Sequence, residues 1–173
     1  VRGQVDQSIL DYLKGNSSYS VMVEALDITG LTDIINAYGS MTMFVPTNDA
    51  FSKFFTRRSI SGLSAMNKDT LNRMLRYHMY NEIFGSAVFQ TGSLPAVTAS
   101  GDLIKMDISQ GLKNTLLNNT VGIDSLNLTK TNGIIHVVND VLEPPSNTIY
   151  TFLKSDPDYS IMAQAIQKTG VDT

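Results

Sequence analysis

The sequence predicts an α+β protein, helical in its first half and built of antiparallel strands in its second. Two observations carry this reading: apolar residues recur at helical spacing up to about residue 80, and short β-rich runs punctuated by Gly92, Gly101, Gly111 and Gly122 follow. A third sets the extent of the unit. Residues 8–33 and 148–173 are one segment written twice, aligned without a gap at an offset of 140, with nine of 26 positions identical, among them Ile9/Ile149, Leu13/Leu153, Tyr19/Tyr159, Met22/Met162 and Gly30/Gly170. Chance would supply roughly one or two matches. A unit of about 140 residues is therefore repeated. The expected organisation is a first domain over 1–143, a Pro-rich linker over 144–147 and the helical start of a second, truncated copy over 148–173.

The elements follow in order. Ile9, Leu10, Tyr12 and Leu13 form an apolar helical face that stops near Gly15, and Ser18 caps a second helix with Met22, Ala25, Leu26 and Thr29 inward and Gly30 closing it. Thr32 and Asp33 open a short third helix that stops at Gly39. Met41–Val45 reads as a strand, ended by Pro46, after which Thr47, Asn48 and Asp49 cap a helix carrying Phe51, Phe54 and Phe55. Asn67 or Asp69 starts another helix, on which Leu71, Met74, Leu75 and His78 share one face. From Ala87 onward, strands are expected at 96–99, 103–108, 112–117, 120–123, 126–130 and 134–142. Asn132-Gly133 has the chemistry of a type I′ turn between the last two, and Ile134–Val138, apolar on both alternating sets apart from His136, reads as a central strand covered on both faces.

Composition narrows function. With 173 residues, 42% hydrophobic and 17% charged, the unit can bury a sizeable core. Net charge is −3, and apart from Arg57-Arg58 the basic residues are scattered, so no stripe tracks a nucleic-acid backbone and no nucleic-acid partner is expected. No cysteine is present, which removes disulfides and thiolate metal sites, and no apolar run is long enough for a membrane span. Any membrane association would need an anchor outside this chain.

Two segments resemble the signature of fasciclin-type domains. Thr42–Phe51 (TMFVPTNDAF) is similar to the family's TVFAPTNEAF block, and Asn132–Leu142 (NGIIHVVNDVL) to its NGxIHVIDxVL block, while Tyr77-His78 matches the Tyr-His pair at the end of the family's central helix. Order, spacing and unit length agree over residues 5–145. The resemblance implies a wedge of antiparallel strands with helices packed over it, no general catalytic activity and no cofactor. It also implies an adhesion or interaction module, extracellular or attached to the cell envelope, secreted or lipid-anchored, that binds a protein or glycan partner on a cell surface or in matrix. Because the Tyr-His region of animal members is linked to integrin binding, it makes Tyr77 and His78 candidate partner-binding residues. Asn139 stands where the family usually has Asp, which leaves open any ion pair or charge-assisted cap made there.

The chemistry-bearing residues divide as follows. Thr47, Asn48 and Asp49 read first as a strand stop and helix cap, and second as one wall of a cleft that binds or modifies a polysaccharide or small molecule. His78 and His136, the only histidines, read as hydrogen-bonded core residues; His78 with Glu82 at i+4 is at most half a metal site, and no metal is expected. Phe44, Pro46, Phe51, Gly133, His136 and Asn139 are expected to be structural. No nucleophile elbow, phosphate loop or dinucleotide fingerprint occurs, so enzyme activity has no anchor. A third possibility is a plain spacer. Ile149, Phe152, Leu153, Ile161, Met162 and Ile166 form an apolar stripe expected to dock on the first domain or to mediate self-association.

Overall fold

The computed structural model describes residues 7–37 and 39–145. The chain divides into two compact units, Val1–Glu143 and Pro144–Thr173, and the described residues belong almost wholly to the first. The repeated segment 148–173, with the docking expected of it, lies outside the described residues.

Among the described residues, five α-helices form the first layer. Helix α1 (Ile9–Lys14) opens on a capping box: the Asp11 amide donates to Ser8 Oγ at 3.1 Å while the Asp11 carboxylate accepts from the Ser8 amide at 3.4 Å. Asn16, rather than Ser18, begins the next element. Its side chain accepts from the Ser18 amide and starts a 3-10 turn over Ser17–Tyr19 that runs into α2 (Ser20–Thr29), closed by Gly30 at φ 71°. Helix α3 spans Thr32–Ala37, α4 spans Asn48–Arg58 with Thr47 as its N-cap, and α5 spans Lys68–Tyr77 with Asn67 as its N-cap. His78 is the residue after α5, not part of it, and Met79–Tyr80 is already strand β2. His78 and Glu82 therefore do not share a helix face.

The strands β1 (Met41–Pro46), β2, β3 (Gly92–Ser93), β4 (Lys105–Asp107), β5 (Leu116–Leu117), β6 (Val121–Lys130) and β7 (Gly133–Val138) form one sheet in the order β2-β1-β7-β6-β5-β4-β3. The sheet is mixed: β1 and β7 pair in parallel from Met41↔Gly133 to Pro46↔Val138, and the other neighbours are antiparallel. Residues 96–99 form no strand, Leu112–Asn114 is a 3-10 turn, and the expected pair 120–123 and 126–130 is one strand, β6, irregular between Ile123 and Leu128. Each extra residue there reverses the inward set, so the alternation breaks and one strand looks like two.

The core lies on both faces of the central strands. Met41, Met43 and Val45 of β1 and Ile135 and Val137 of β7 pack with the helices around Leu13, Met22, Leu26, Phe51 and Leu75. Phe44 and Val138 face the opposite way, into a second cluster with Tyr77, Tyr80, Phe84, Ile104 and Leu117. The expected double cover of β7 is what the structure has.

The Asn132-Gly133 pair is used differently from expectation. Lys130 pairs with Gly133, so the turn residues are Thr131 and Asn132, neither at positive φ. Asn132 is a cross-brace: its Oδ1 accepts from the Ile9 amide at 2.8 Å, its Nδ2 donates to the Ile35 carbonyl at 3.0 Å, and its own carbonyl accepts from the Met41 amide at 3.2 Å. A Cβ on Gly133 would lie 2.1 Å from the Met41 carbonyl oxygen, so glycine is needed for the approach of β1. The positive-φ pair characteristic of a I′ turn is Asn118-Asn119, at 50° and 63°, between β5 and β6.

Candidate functional site

Tyr77 and His78 are both buried at the end of α5. His78 Nδ1 lies 2.8 Å from the Met74 carbonyl, which can only accept, so Nδ1 carries the proton; Nε2 then accepts from the Leu142 amide at 3.0 Å. The ring is neutral, and burial pushes its pKa down to about 4. Tyr77 donates to the Leu103 carbonyl at 3.0 Å and accepts from Asn118 Nδ2 at 2.9 Å, and burial raises its pKa. His136 repeats the arrangement on β7: Nε2 donates to the Phe84 carbonyl at 2.8 Å, Nδ1 accepts from the Asn127 amide at 3.2 Å, and burial lowers its pKa. Phe44 stacks on it with centroids 5.4 Å apart. Each of these polar side chains is occupied with backbone or a neighbouring side chain.

The strand-to-helix corner is different. Pro46 ends β1, and Thr47 Oγ1 accepts from the Ala50 amide at 3.2 Å, so α4 starts at once and buries Phe51. Asn48 is the brace to the helical half: Nδ2 donates to the Ser17 carbonyl and Ser20 Oγ, and Oδ1 accepts from the Val21 amide. Across from this corner, Asn139 Oδ1 accepts from the Gly122 amide at 2.9 Å, a bond an Asp would also make. The ion pair near this segment is made one residue later, by Asp140 with Arg57.

Thr47, Asn48, Asp49 and Asn139 thus converge with Ser17, Ser18, Lys53 and Asp124 on an open cleft of about 460 Å³ lined by polar residues. Lys53 Nζ donates to the Asn139 carbonyl at 3.3 Å. Tyr77, His78, Phe44 and His136 are not part of this cleft. Among the described residues no group of three or more His, Asp or Glu could hold a metal ion, and no helix is long and apolar enough to cross a membrane.

The exit from β7 is tied down separately. Arg57 makes a bidentate contact with Asp140 at 2.8 and 3.1 Å and reaches Glu143 at 3.1 Å, while Arg58 also pairs with Glu143.

Several further groups fix this geometry with little or no local signal in the sequence. Thr42, fully buried in β1, donates to the Glu82 carbonyl and accepts from the Phe84 amide, both at 2.7 Å. Asn127, at φ 58° in the irregular part of β6, bonds Ser86 through both side-chain atoms. Lys130, only 5% exposed, lies 3.7 Å over the Tyr12 ring, and burial lowers its pKa. Only the positive-φ tolerance of Asn offered a local signal, and that for Asn127 alone.

A mixed sheet with a helical layer, histidines spent on backbone and a polar surface cleft define an α+β domain of one recognisable kind. The chain belongs to the fasciclin-domain family: residues 17–144 match the pattern described as Fasciclin domain. It is 34% identical over 144 residues to the pig transforming growth factor-beta-induced protein ig-h3, covering 81% of this chain and 20% of that protein. It is 30% identical over 138 residues to protein sll1483 of Synechocystis, covering 80% and 74% respectively. Human periostin is 27% identical, with 83% of this chain and 17% of periostin covered. The fold is similar to that of a FAS1 domain pair from the insect cell adhesion molecule Fasciclin I, with a TM-score of 0.62 at 17% identity, over 80% of this chain and 51% of that one.

Proposed function

We propose that the chain is a non-enzymatic adhesion or interaction module, acting outside the cell or on its envelope, that binds a protein or glycan partner through the polar cleft beside α4. One observation carries the choice of site. Tyr77, His78 and His136 are buried and internally bonded, whereas the side chains of Asp49 and Asp124 are exposed and line the cleft. The insect neighbour's role as a cell adhesion molecule supports the class of function. Weak modules of this kind gain avidity when several are displayed together. Tyr77 and His78 act in this reading by holding α5 and the exit of β7 in place.

The cleft also favours a second reading, a binder of polysaccharide or small polar molecules, because its lining offers hydroxyls, amides, two carboxylates and an amine. Both are tested with surface-immobilised chain presented to matrix-coated and glycan-coated beads, alongside an Asp49→Asn/Asp124→Asn variant. Bead capture that falls at least fivefold in the variant, with an unchanged melting temperature, is expected. Capture of neither bead type defeats the reading, and release of sugar from the glycan beads replaces it with an enzymatic one.

A further inference from the structure

We propose that the unit also bears tension along the chain, through a shear clamp formed by β1 and β7. β1 is the first strand of the sheet and β7 the last, yet they lie side by side and parallel, paired from Met41↔Gly133 to Pro46↔Val138. When the chain is held on both sides of the unit, tension reaches β1 at its Met41 end and β7 at its Val138 end. In a parallel pair those are opposite ends. The two strands are therefore pulled past each other along their length, and the hydrogen bonds between them are loaded together rather than broken one after another.

The surroundings oppose that sliding. β1 is flanked by β2 and β7 by β6, so neither loaded strand has an open edge within the pair. Side chains interlock on both faces, Met43 and Val45 with Ile135 and Val137 on one, Phe44 stacked on His136 on the other. Helices α1 to α3 precede Met41 and pack on one face of the pair, with Ile9 and Ile35 bonded to Asn132, so tension must strip them off before it loads β1. Beyond Val138, Asn139 exchanges hydrogen bonds with Gly122, and Leu142 is bonded to His78, so the exit is fastened to elements inside the clamp. This role stands apart from partner binding: a unit that binds nothing still has the clamp, and failed bead capture says nothing about it.

The test compares pulling directions in the same protein. Because the chain has no cysteine, paired cysteine handles define the points of force. Val1→Cys with Thr173→Cys loads the clamp in shear. Val1→Cys with Thr131→Cys, at an exposed turn position beside Gly133, loads the same strands from one end and unzips them. At equal loading rate, the end-to-end geometry is expected to give a release force at least twice that of the one-ended geometry. Its extension step, for release of Met41 to Val138, is about 330 Å at about 3.4 Å per residue. Forced unfolding reads the barrier rather than the equilibrium stability, so the comparison is unaffected by small stability differences between the variants. Equal forces in the two geometries, or an end-to-end record without that step, overturn the clamp.

Discussion

His78 and His136 are the two histidines of an apolar interior, and each accepts from one backbone amide while donating to one carbonyl. That use requires the neutral ring. The folded pKa of His78 is about 4 against an ordinary 6.5, so as pH falls the unfolded chain takes up the proton first. The contribution of His78 to stability is complete above pH 6.5 and is lost progressively down to about pH 4, by about 3 kcal/mol at about 1.4 kcal/mol per pH unit. His136, shifted in the same direction, adds to the loss. Urea midpoints should therefore drop between pH 7 and 4.5, and His78→Gln should flatten the slope whatever its stability at pH 7. A variant with the wild-type slope would remove His78 as the origin. An apolar neighbourhood of each histidine was legible, Met74 and Leu75 ahead of His78 and the apolar run Ile134–Val138 around His136, although His78 follows α5 rather than lying on its stripe. Their distant partners were not, nor was the bracing by Asn132, since Leu142, Phe84 and Ile9 lie far away in sequence and no local pattern encodes a long-range hydrogen-bond partner.

At the scale of elements, helices were read well because capping and periodicity are local: Thr47 and Asn67 cap where their side chains can reach the next turn. The strands of the second half were harder. β3 and β5 are two residues long, too short to show alternation, and β6 loses its alternation at its irregularities. Asn132-Gly133 misled for a physical reason: the pair's usual signal is positive φ at both residues, whereas here Gly133 is demanded by the Met41 carbonyl. The turn that does use positive φ, Asn118-Asn119, carries no glycine. Asn119, exposed at φ 63° and with no hydrogen bond from its side chain, is strained relative to glycine. Asn119→Gly is expected to stabilise the unit by about 0.5 kcal/mol, read as a raised thermal midpoint. Asn118→Gly should do the reverse, since Asn118 bonds both Lys105 and Tyr77. A gain from both substitutions would show that backbone strain outweighs those bonds.

On the scale of the whole molecule, the α+β class followed from the order of patterns along the chain, but the parallel pairing of β1 and β7 did not. Alternation tells which face a residue takes and is silent about which strand lies alongside. The same holds for the exit of β7, where Arg57 and Arg58 meet Asp140 and Glu143 from the far side of the sequence. Of the contacts that fasten that exit, the exposed ion pairs and the buried Leu142-His78 bond can be ranked by their magnitudes. Exposed pairs contribute about 0 to 1 kcal/mol because solvent screens them and long side chains lose freedom. A buried amide left without its acceptor costs about 1 to 3 kcal/mol. Arg57→Ala should therefore lower global stability by no more than about 1 kcal/mol and leave the Leu142 amide slow to exchange, whereas His78→Ala should speed that amide by at least tenfold relative to the sheet. Exchange at Leu142 that quickens in Arg57→Ala and not in His78→Ala would reverse the ranking, making the surface charges the fastening of the exit and the histidine only a filler of its core.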